Sequence, residues 1–369
     1  MTQRRVLLAL GSLLAAGAML AGCSAPSEPT DLPTSTGGSL DQLAADAKAE
    51  GALTVYTATA EDTLRTWVQP FLDEYGLSLE VYKASTNPVN ERFVQESEAG
   101  SNFADVVILS DDRVLADDVS QDLIANYTPA SSSDFADAGG TKEGYYYPLY
   151  QVVSAIAYNT NVLSEQDVND LRTKGLSVLA DPKYKGKLAA SNAHNSTNNT
   201  AFYYALANLN DGLGWDYLKK LGANQPTFYD ASPSMVQALV AGESAVALLA
   251  PDTVVGPQVI AGAPVQFLYP DVSPGTSFSL AVSANAPHSA AARLFEEWAT
   301  QPENQSALSA IAQGAPGNPK ADDTRQIASE DWYEAPKNVW FWSTDPKLDF
   351  STVEQDTLKQ WDEAFNYTK

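Results

Sequence analysis

Short runs of hydroxyl and amide residues stand at the edges of the apolar segments of this chain. They are Thr57-Ala58-Thr59-Ala60, Ser85-Thr86-Asn87, Ser110-Asp111-Asp112, Asn195-Ser196-Thr197-Asn198-Asn199-Thr200, Tyr229-Asp230-Ala231-Ser232 and Pro251-Asp252-Thr253. The chemistry open to such residues is hydrogen bonding rather than bond making. Each run also has a plain structural reading, because Ser, Thr, Asn and Asp are ordinary helix N-caps. The polar run from Asn195 to Thr200 is longer than a cap requires. Acidic side chains at Glu61, Asp111, Asp112 and Asp252 would draw a cation. Helix N-termini, with unpaired N–H groups and a partial positive charge, would draw an anion. The sequence leaves the sign of a ligand open.

Bond-making chemistry finds little support. No GxxxxGK[ST], no strand-linked GxGxxG and no HExxH occurs. The nearest approach to a nucleophile elbow, Gly242-Glu243-Ser244-Ala245-Val246, lacks the second glycine that its sharp turn needs. One cysteine excludes an intrachain disulfide and a thiolate cage, and two histidines leave little for a histidine-rich metal site. No cofactor and no metal is expected. Lys and Arg number 22 against 46 Asp and Glu, a net charge of −24. Such a surface does not displace counterions from duplex nucleic acid, nor does it hold to anionic lipid as a polybasic patch would.

The N-terminus carries Arg4 and Arg5, then an apolar run from Val6 to Ala21. This is the pattern of a signal peptide, shorter than the roughly 20 residues of a membrane-spanning helix. Leu20-Ala21-Gly22-Cys23 resembles the bacterial lipobox, in which cleavage precedes the cysteine and its thiol receives a diacylglycerol. Cys23 is the chain's single cysteine and the expected lipidation site. Residues 1–22 are then a lipoprotein signal peptide. Residues 23–39, rich in Ser, Thr, Pro and Gly, form a flexible tether.

From Leu40 onward, apolar strands alternate with amphipathic segments. The spacing predicts helices over Leu40–Glu50, Glu61–Tyr75 (with Pro70 inside it), Val89–Gly100, Ala201–Leu209, Trp215–Leu221, Pro233–Ala241, Ala290–Thr300 and Phe350–Phe365. It predicts strands over Ala52–Tyr56, Leu79–Tyr82, Asp105–Leu109, Ser154–Tyr158, Leu188–Ser191, Ala245–Ala250, Val265–Tyr269 and Phe278–Ser283. This order implies an α/β protein whose sheets are mainly parallel, with helices on both faces. Two α/β lobes are expected, joined by crossings near Tyr145–Val153 and Phe267–Phe278. Tyr145, Tyr146, Tyr147 and Tyr150 then serve as cleft walls or as hinge packing, and Trp340-Phe341-Trp342 reads as packing.

The runs EGALTVYTA (Glu50 to Ala58), ADVVILSDD (Ala104 to Asp112), EGYYYPLY (Glu143 to Tyr150), IAYNTNVL (Ile156 to Leu163), LADPKYKGKLAAS (Leu179 to Ser191), GWDYLKKLGAN (Gly214 to Asn224) and MVQALVAGESAVAL (Met235 to Leu248) occur in an order that carries a resemblance. Over about Leu40 to Thr300 the chain resembles the ferric-iron/spermidine-putrescine-type solute-binding proteins of ABC importers, extracellular solute-binding protein family 1, in lipoprotein form. The resemblance implies a type II periplasmic-binding-protein fold, two α/β lobes with a hinge and an interlobe cleft. It implies lobe 1 over residues 40–150 plus about 270–300, and lobe 2 over 151–269 plus about 301–369. The implied partners are a small solute, the permease subunits of an ABC importer and the lipid bilayer through acylated Cys23, with no nucleic acid, on a monomer at the outer face of the cytoplasmic membrane.

Ligands of open parallel sheets sit beyond the strands' carboxyl ends. On this resemblance the ligand-binding residues are Thr57, Ala58, Thr59, Ser85, Thr86, Asn87, Asp111, Asp112, Tyr150, Asn195, Ser196, Thr197, Asn198, Asn199, Tyr229, Ser232 and Asp252. No catalytic residue is implied. Asn195 to Thr200 stands where many members carry a Ser-Gly-Thr-like anion-binding turn, but without the glycine. Ferric-binding members use adjacent tyrosines after the strand that follows Gly-Glu. The corresponding Leu249 to Thr253 has none, and Tyr203-Tyr204 lies in a helix, where neighbouring side chains diverge. The ligand expected is a small organic ion, either a phosphonate or sugar phosphate or a polyamine or thiamine-like cation, with ferric iron as the alternative. Readings of another class are a surface lipoprotein hydrolase acting through Ser244 or a cleft carboxylate and a sensor on the same fold.

Overall fold

A computed structural model describes residues 39–136 and 138–368. The signal peptide expected over 1–22, Cys23 and the tether up to residue 38 lie outside the described residues. No helix among the described residues is long and apolar enough to cross a membrane.

The first α/β units follow from local signals. Helix α1 (Leu40–Glu50) starts where the Ser39 side chain accepts from the Gln42 amide and stops at Gly51, whose φ of 75° suits glycine. Strand β1 (Ala52–Thr57) leads into α2 (Glu61–Tyr75), which buries Leu64, Trp67, Val68, Phe71 and Leu72 on one side. Pro70 lies inside α2 on its exposed side, and the helix continues past it to Tyr75. Strand β2 (Ser78–Lys83), α3 (Thr86–Glu98) and the fully buried β3 (Val106–Leu109) complete three parallel strands in the order β2-β1-β3. Helix α4 (Asp112–Ser120), which the sequence pattern did not reveal, follows directly.

The long strand β4 (Tyr146–Asn159) changes partners along its length. Tyr146 to Val153 pair antiparallel with β9 (Ser273–Val282), which also lies antiparallel on β3. Ser154 to Asn159 pair antiparallel with β7 (Val246–Pro251) and β8 (Val265–Leu268). Beyond β7 come β5 (Leu188–Ser191) and β6 (Thr227–Tyr229), parallel to it. The result is two half-sheets, each with three parallel strands and an antiparallel neighbour, meeting on β4. The sequence pattern showed only the second part of β4, Ser154 to Tyr158. The first part, with Tyr146, Tyr147 and Pro148, has no strand-like alternation because it is buried on both faces.

Helix α5 (Glu165–Lys174) opens with a Ser164–Asp167 capping box. Helices α6 (Thr197–Asn208), α7 (Trp215–Ala223), α8 (Ser232–Val240) and α9 (Asp252–Ile260) cover the second half-sheet. Helix α6 begins four residues before the predicted start. Ser196 caps it by accepting from the Asn199 amide, so Thr197 to Thr200 form its first turn despite their poor helix propensity. Helix α10 (Ser289–Ala299) packs on α1, and α11 (Pro302–Ala312) packs on α2, where the Trp67 indole N–H donates to the Asn304 carbonyl. The chain then adds β10 (Ala315–Pro316) to β4 and β11 (Val339–Trp340) to the start of β9 before closing with α12 (Ser351–Phe365) on α7 and α6.

Candidate binding cleft

The carboxyl ends of the parallel strands of both half-sheets face one cleft of about 1010 Å³, at the upper end of the size range of small-molecule sites. Its floor comes from the crossing strands. Tyr150 and Val152 of β4 lie beside Thr276 and Phe278 of β9, and the Tyr150 and Phe278 rings stack 4.6 Å apart. Gly314 lies so close to Tyr150 that a Cβ there would stand 2.5 Å from the ring. Burial pushes the Tyr150 phenol up, and its hydroxyl shares a 3.3 Å hydrogen bond with Thr59.

On the first half-sheet, the wall carries Thr86 and Asn87 at the start of α3, then Ser110, Asp111 and Arg113 at the start of α4. Thr86 Oγ1 accepts from the Ser110 amide at 3.3 Å and lies 2.8 Å from Ser110 Oγ. Asp111 caps α4 and grips Arg113 with both oxygens, Oδ1 to Nε at 3.1 Å and Oδ2 to Nη2 at 2.8 Å. The opposite wall carries Asn195, Ser196, Thr197 and Asn198 before and within the first turn of α6, Ser232 at the start of α8, and Thr253 in α9. Asn195 Nδ2 donates to the Asp230 carbonyl at 3.1 Å, which ties the α6 entry to the α8 entry.

Other residues expected at the site lie outside the cleft lining. Thr57 is fully buried and accepts from the Thr59 amide, so with Ala58 and Thr59 it braces Tyr150 rather than lining the cleft. Ser85 is the exposed residue before α3. Asn199 donates from Nδ2 to the Asn192 carbonyl, and the Tyr229 ring packs into the core around Met235. Asp112 and Asp252 are each 1% exposed and turn inward. Asp112 accepts from Ser279 at 2.9 Å and Ser343 at 3.1 Å, and burial pushes its carboxyl up to about 6. Asp252 accepts from Arg325, Tyr269 and the Val153 and Thr253 amides. As helix-opening residues beside core strands, both satisfy their own fold before any ligand. Glu61 pairs on the outer surface with Arg65. Ser244 is buried at the entry to β7, outside the cleft lining.

The sequence reading missed Arg113, Asp117, Thr276, Phe278 and Trp342, all of which line the cleft. Arg113 was findable, since it directly follows the Ser110–Asp112 run, had α4 been recognised. Trp342 belongs to the aromatic run Trp340-Phe341-Trp342, which the sequence reading took as packing, and nothing local placed it in the cleft.

The electrostatics of the cleft are set by helix ends more than by side chains. Helices α3 and α8 both begin without a side-chain cap, so the N–H groups of Thr86 and Asn87 in α3 and of Ser232 and Ser234 in α8 are left to solvent or solute, Pro88 and Pro233 having none. The one guanidinium in the lining is already matched by Asp111, which leaves Asp117 as the exposed carboxylate. Among the described residues, no cluster of His, Cys, Asp and Glu is arranged to hold a metal ion.

Known proteins share this architecture. The fold matches iron-bound HitA from Pseudomonas aeruginosa with a TM-score of 0.63 and 18% identity, covering 85% of this chain and 99% of that one. It matches the substrate-binding protein of an ABC transporter from Agrobacterium tumefaciens with a TM-score of 0.63 and 16% identity, covering 85% and 94%. It matches the spermidine/putrescine ABC transporter substrate-binding protein PotD from Streptococcus pneumoniae with a TM-score of 0.65 and 14% identity, covering 85% and 99%. No curated protein sequence matches the chain. The architecture is the type II periplasmic-binding-protein fold. The family model for bacterial extracellular solute-binding proteins spans residues 66–338, and the chain belongs to that family.

Proposed function

We propose that this protein is the lipid-anchored receptor of an ABC importer and that it captures a small organic anion between its two half-sheets. Hinge closure about β4 and the β8–β9 connection holds the solute until a membrane permease accepts it unchanged. Cys23 supplies the anchor at the outer face of the cytoplasmic membrane, the fold works as a monomer, and no covalent step is involved.

The observation that carries the anionic assignment is that α3 and α8, on opposite walls of one cleft, start without a side-chain cap, whereas at α9 the Asp252 side chain accepts from the Thr253 amide. Amide groups there, with hydroxyls from Thr86, Ser110, Ser196 and Ser232 beside them, suit oxyanion recognition. Most carboxylates that would favour a cation are engaged, Asp112 and Asp252 inside the fold, Glu61 on Arg65 and Asp111 on Arg113, which leaves Asp117 as the exposed acid of the lining. Ferric iron is less well served. Tyr150 is the one phenol in the lining, and burial keeps it protonated.

The test is thermal unfolding and native mass spectrometry of the exported protein with phosphate, methylphosphonate and glycerol phosphate, set against putrescine and ferric citrate. Stabilisation by the phosphorus oxyanions alone is expected. Stabilisation by putrescine or ferric citrate in their place would overturn the anionic reading.

A further inference from the structure

The segment that includes β11 reaches the cleft at Trp342 and touches elements of both half-sheets. Trp340 stacks on Tyr204 of α6, with ring centres 5.6 Å apart, and β11 pairs with Ser273 and Pro274 of β9. Trp342, only 4% exposed, contacts both walls. Its indole N–H donates to Asn198 Oδ1 at 3.2 Å, in the first turn of α6. The Arg113 guanidinium, in the first turn of α4, stands 4.5 Å from the ring. One residue later, Ser343 Oγ donates to Asp112 Oδ2 at 3.1 Å. Phe341 lies against Gly139, where a Cβ would collide with its ring, and Val339 lies against Gly275, where a Cβ would stand 2.4 Å from its side chain.

We propose that Trp342 is a positioning residue that pins the start of α4 to the start of α6 and so limits how far the cleft walls separate. The two helix starts belong to different half-sheets, so a rotation about β4 that separates the walls must break either the Asn198 hydrogen bond or the Arg113–indole and Ser343–Asp112 contacts. A hydrogen bond and a cation–π contact are each modest. Together they are of the size that moves a two-state equilibrium about tenfold, since each factor of ten corresponds to about 1.4 kcal/mol. The inference rests on the hinge reading of the cleft and is independent of the ligand's identity.

The experiment measures the distance between half-sheets without ligand. Spin labels are placed at Gln69 on α2 and Lys219 on α7, both exposed, in the full chain carrying Cys23→Ser. A control pair at Gln69 and Lys83 lies within one half-sheet. Trp342→Ala should add a longer-distance population at the first pair and leave the control unchanged. Trp342→Phe, which keeps the ring but loses the N–H, and Asn198→Ala should give smaller shifts similar to each other. If Trp342→Ala is folded and the first pair is unchanged, the proposal fails. Should Trp342→Ala not fold, unchanged distances in both milder variants overturn it, and a shift in either supports it. A failure of anion binding leaves these readings untouched, so the two ideas fall separately.

Discussion

Asp112 and Asp252 occupy equivalent places in the two halves of the molecule. Each is the first residue of a helix that leaves the carboxyl end of a parallel strand, β3 or β7, and each is 1% exposed. Their environments differ. Asp112 is held by hydroxyls alone, Ser279 from β9 and Ser343 from the segment after β11. Asp252 meets the buried Arg325 at 3.1 Å and receives further donors from Tyr269 and the backbone. Burial pushes both carboxyls up, but at Asp252 the guanidinium opposes that push. The same topological position therefore serves as a buried ion pair in one half and as a contact without a countercharge in the other. Without a countercharge, desolvation decides protonation.

The largest test of this contrast removes the cation. Arg325→Met leaves the Asp252 carboxylate buried without its partner and should cost about 3–5 kcal/mol of stability at pH 7, read by urea unfolding. A loss under about 1 kcal/mol would mean that the hydroxyl and amide donors suffice, and the two sites would then be alike.

The next effect belongs to Asp112 and depends on pH. Its folded-state value, about 6, lies above the ordinary 3.8, so the folded protein holds this proton more tightly than the unfolded chain. The contribution is full below about pH 4 and is lost as pH rises toward 6, in total about 3 kcal/mol at roughly 1.4 kcal/mol per unit. Asp112→Asn, which does not titrate, should therefore gain on the wild type as pH rises from 4 to 7 when unfolding free energies are compared. A difference that stays constant with pH would place the carboxyl in a better-solvated setting than its burial indicates.

The smallest effects separate the two hydroxyls that hold Asp112. Ser279→Ala and Ser343→Ala each delete one donor and should each cost about 1 kcal/mol. Both should move the Asp112 titration further upward, because a donor to the carboxylate is lost. Nuclear magnetic resonance of the carboxyl carbon would follow the midpoint. A downward shift in either variant would contradict the assignment of these hydroxyls as donors.

Much of the fold was legible because its signals are local. Leu40–Glu50 and Leu188–Ser191 are found where the pattern placed them, since a cap, a glycine stop or an unbroken apolar run marks the ends. Helices α4, α5, α9 and α11 were not read. Asp and Asn with scattered apolar residues weaken the pattern in α4 and α5, Pro257 interrupts α9, and α11 is weakly amphipathic. Among the expected site residues, Thr86, Asn87, Asp111, Tyr150, Asn195 to Asn198 and Ser232 line the cleft. Residues such as Thr57, Asn199 and Tyr229 hold that lining in place.

By itself the sequence determined the α/β alternation, the polar loops that end the strands and the acidic balance, because each depends on residues close together along the chain. Only the tertiary structure decided which acids face the cleft and which are consumed inside the fold. It also brought Arg325 to Asp252 and Trp342 between Arg113 and Asn198. Those pairings join residues remote in sequence, and desolvation on folding chooses among carboxylates that composition cannot tell apart.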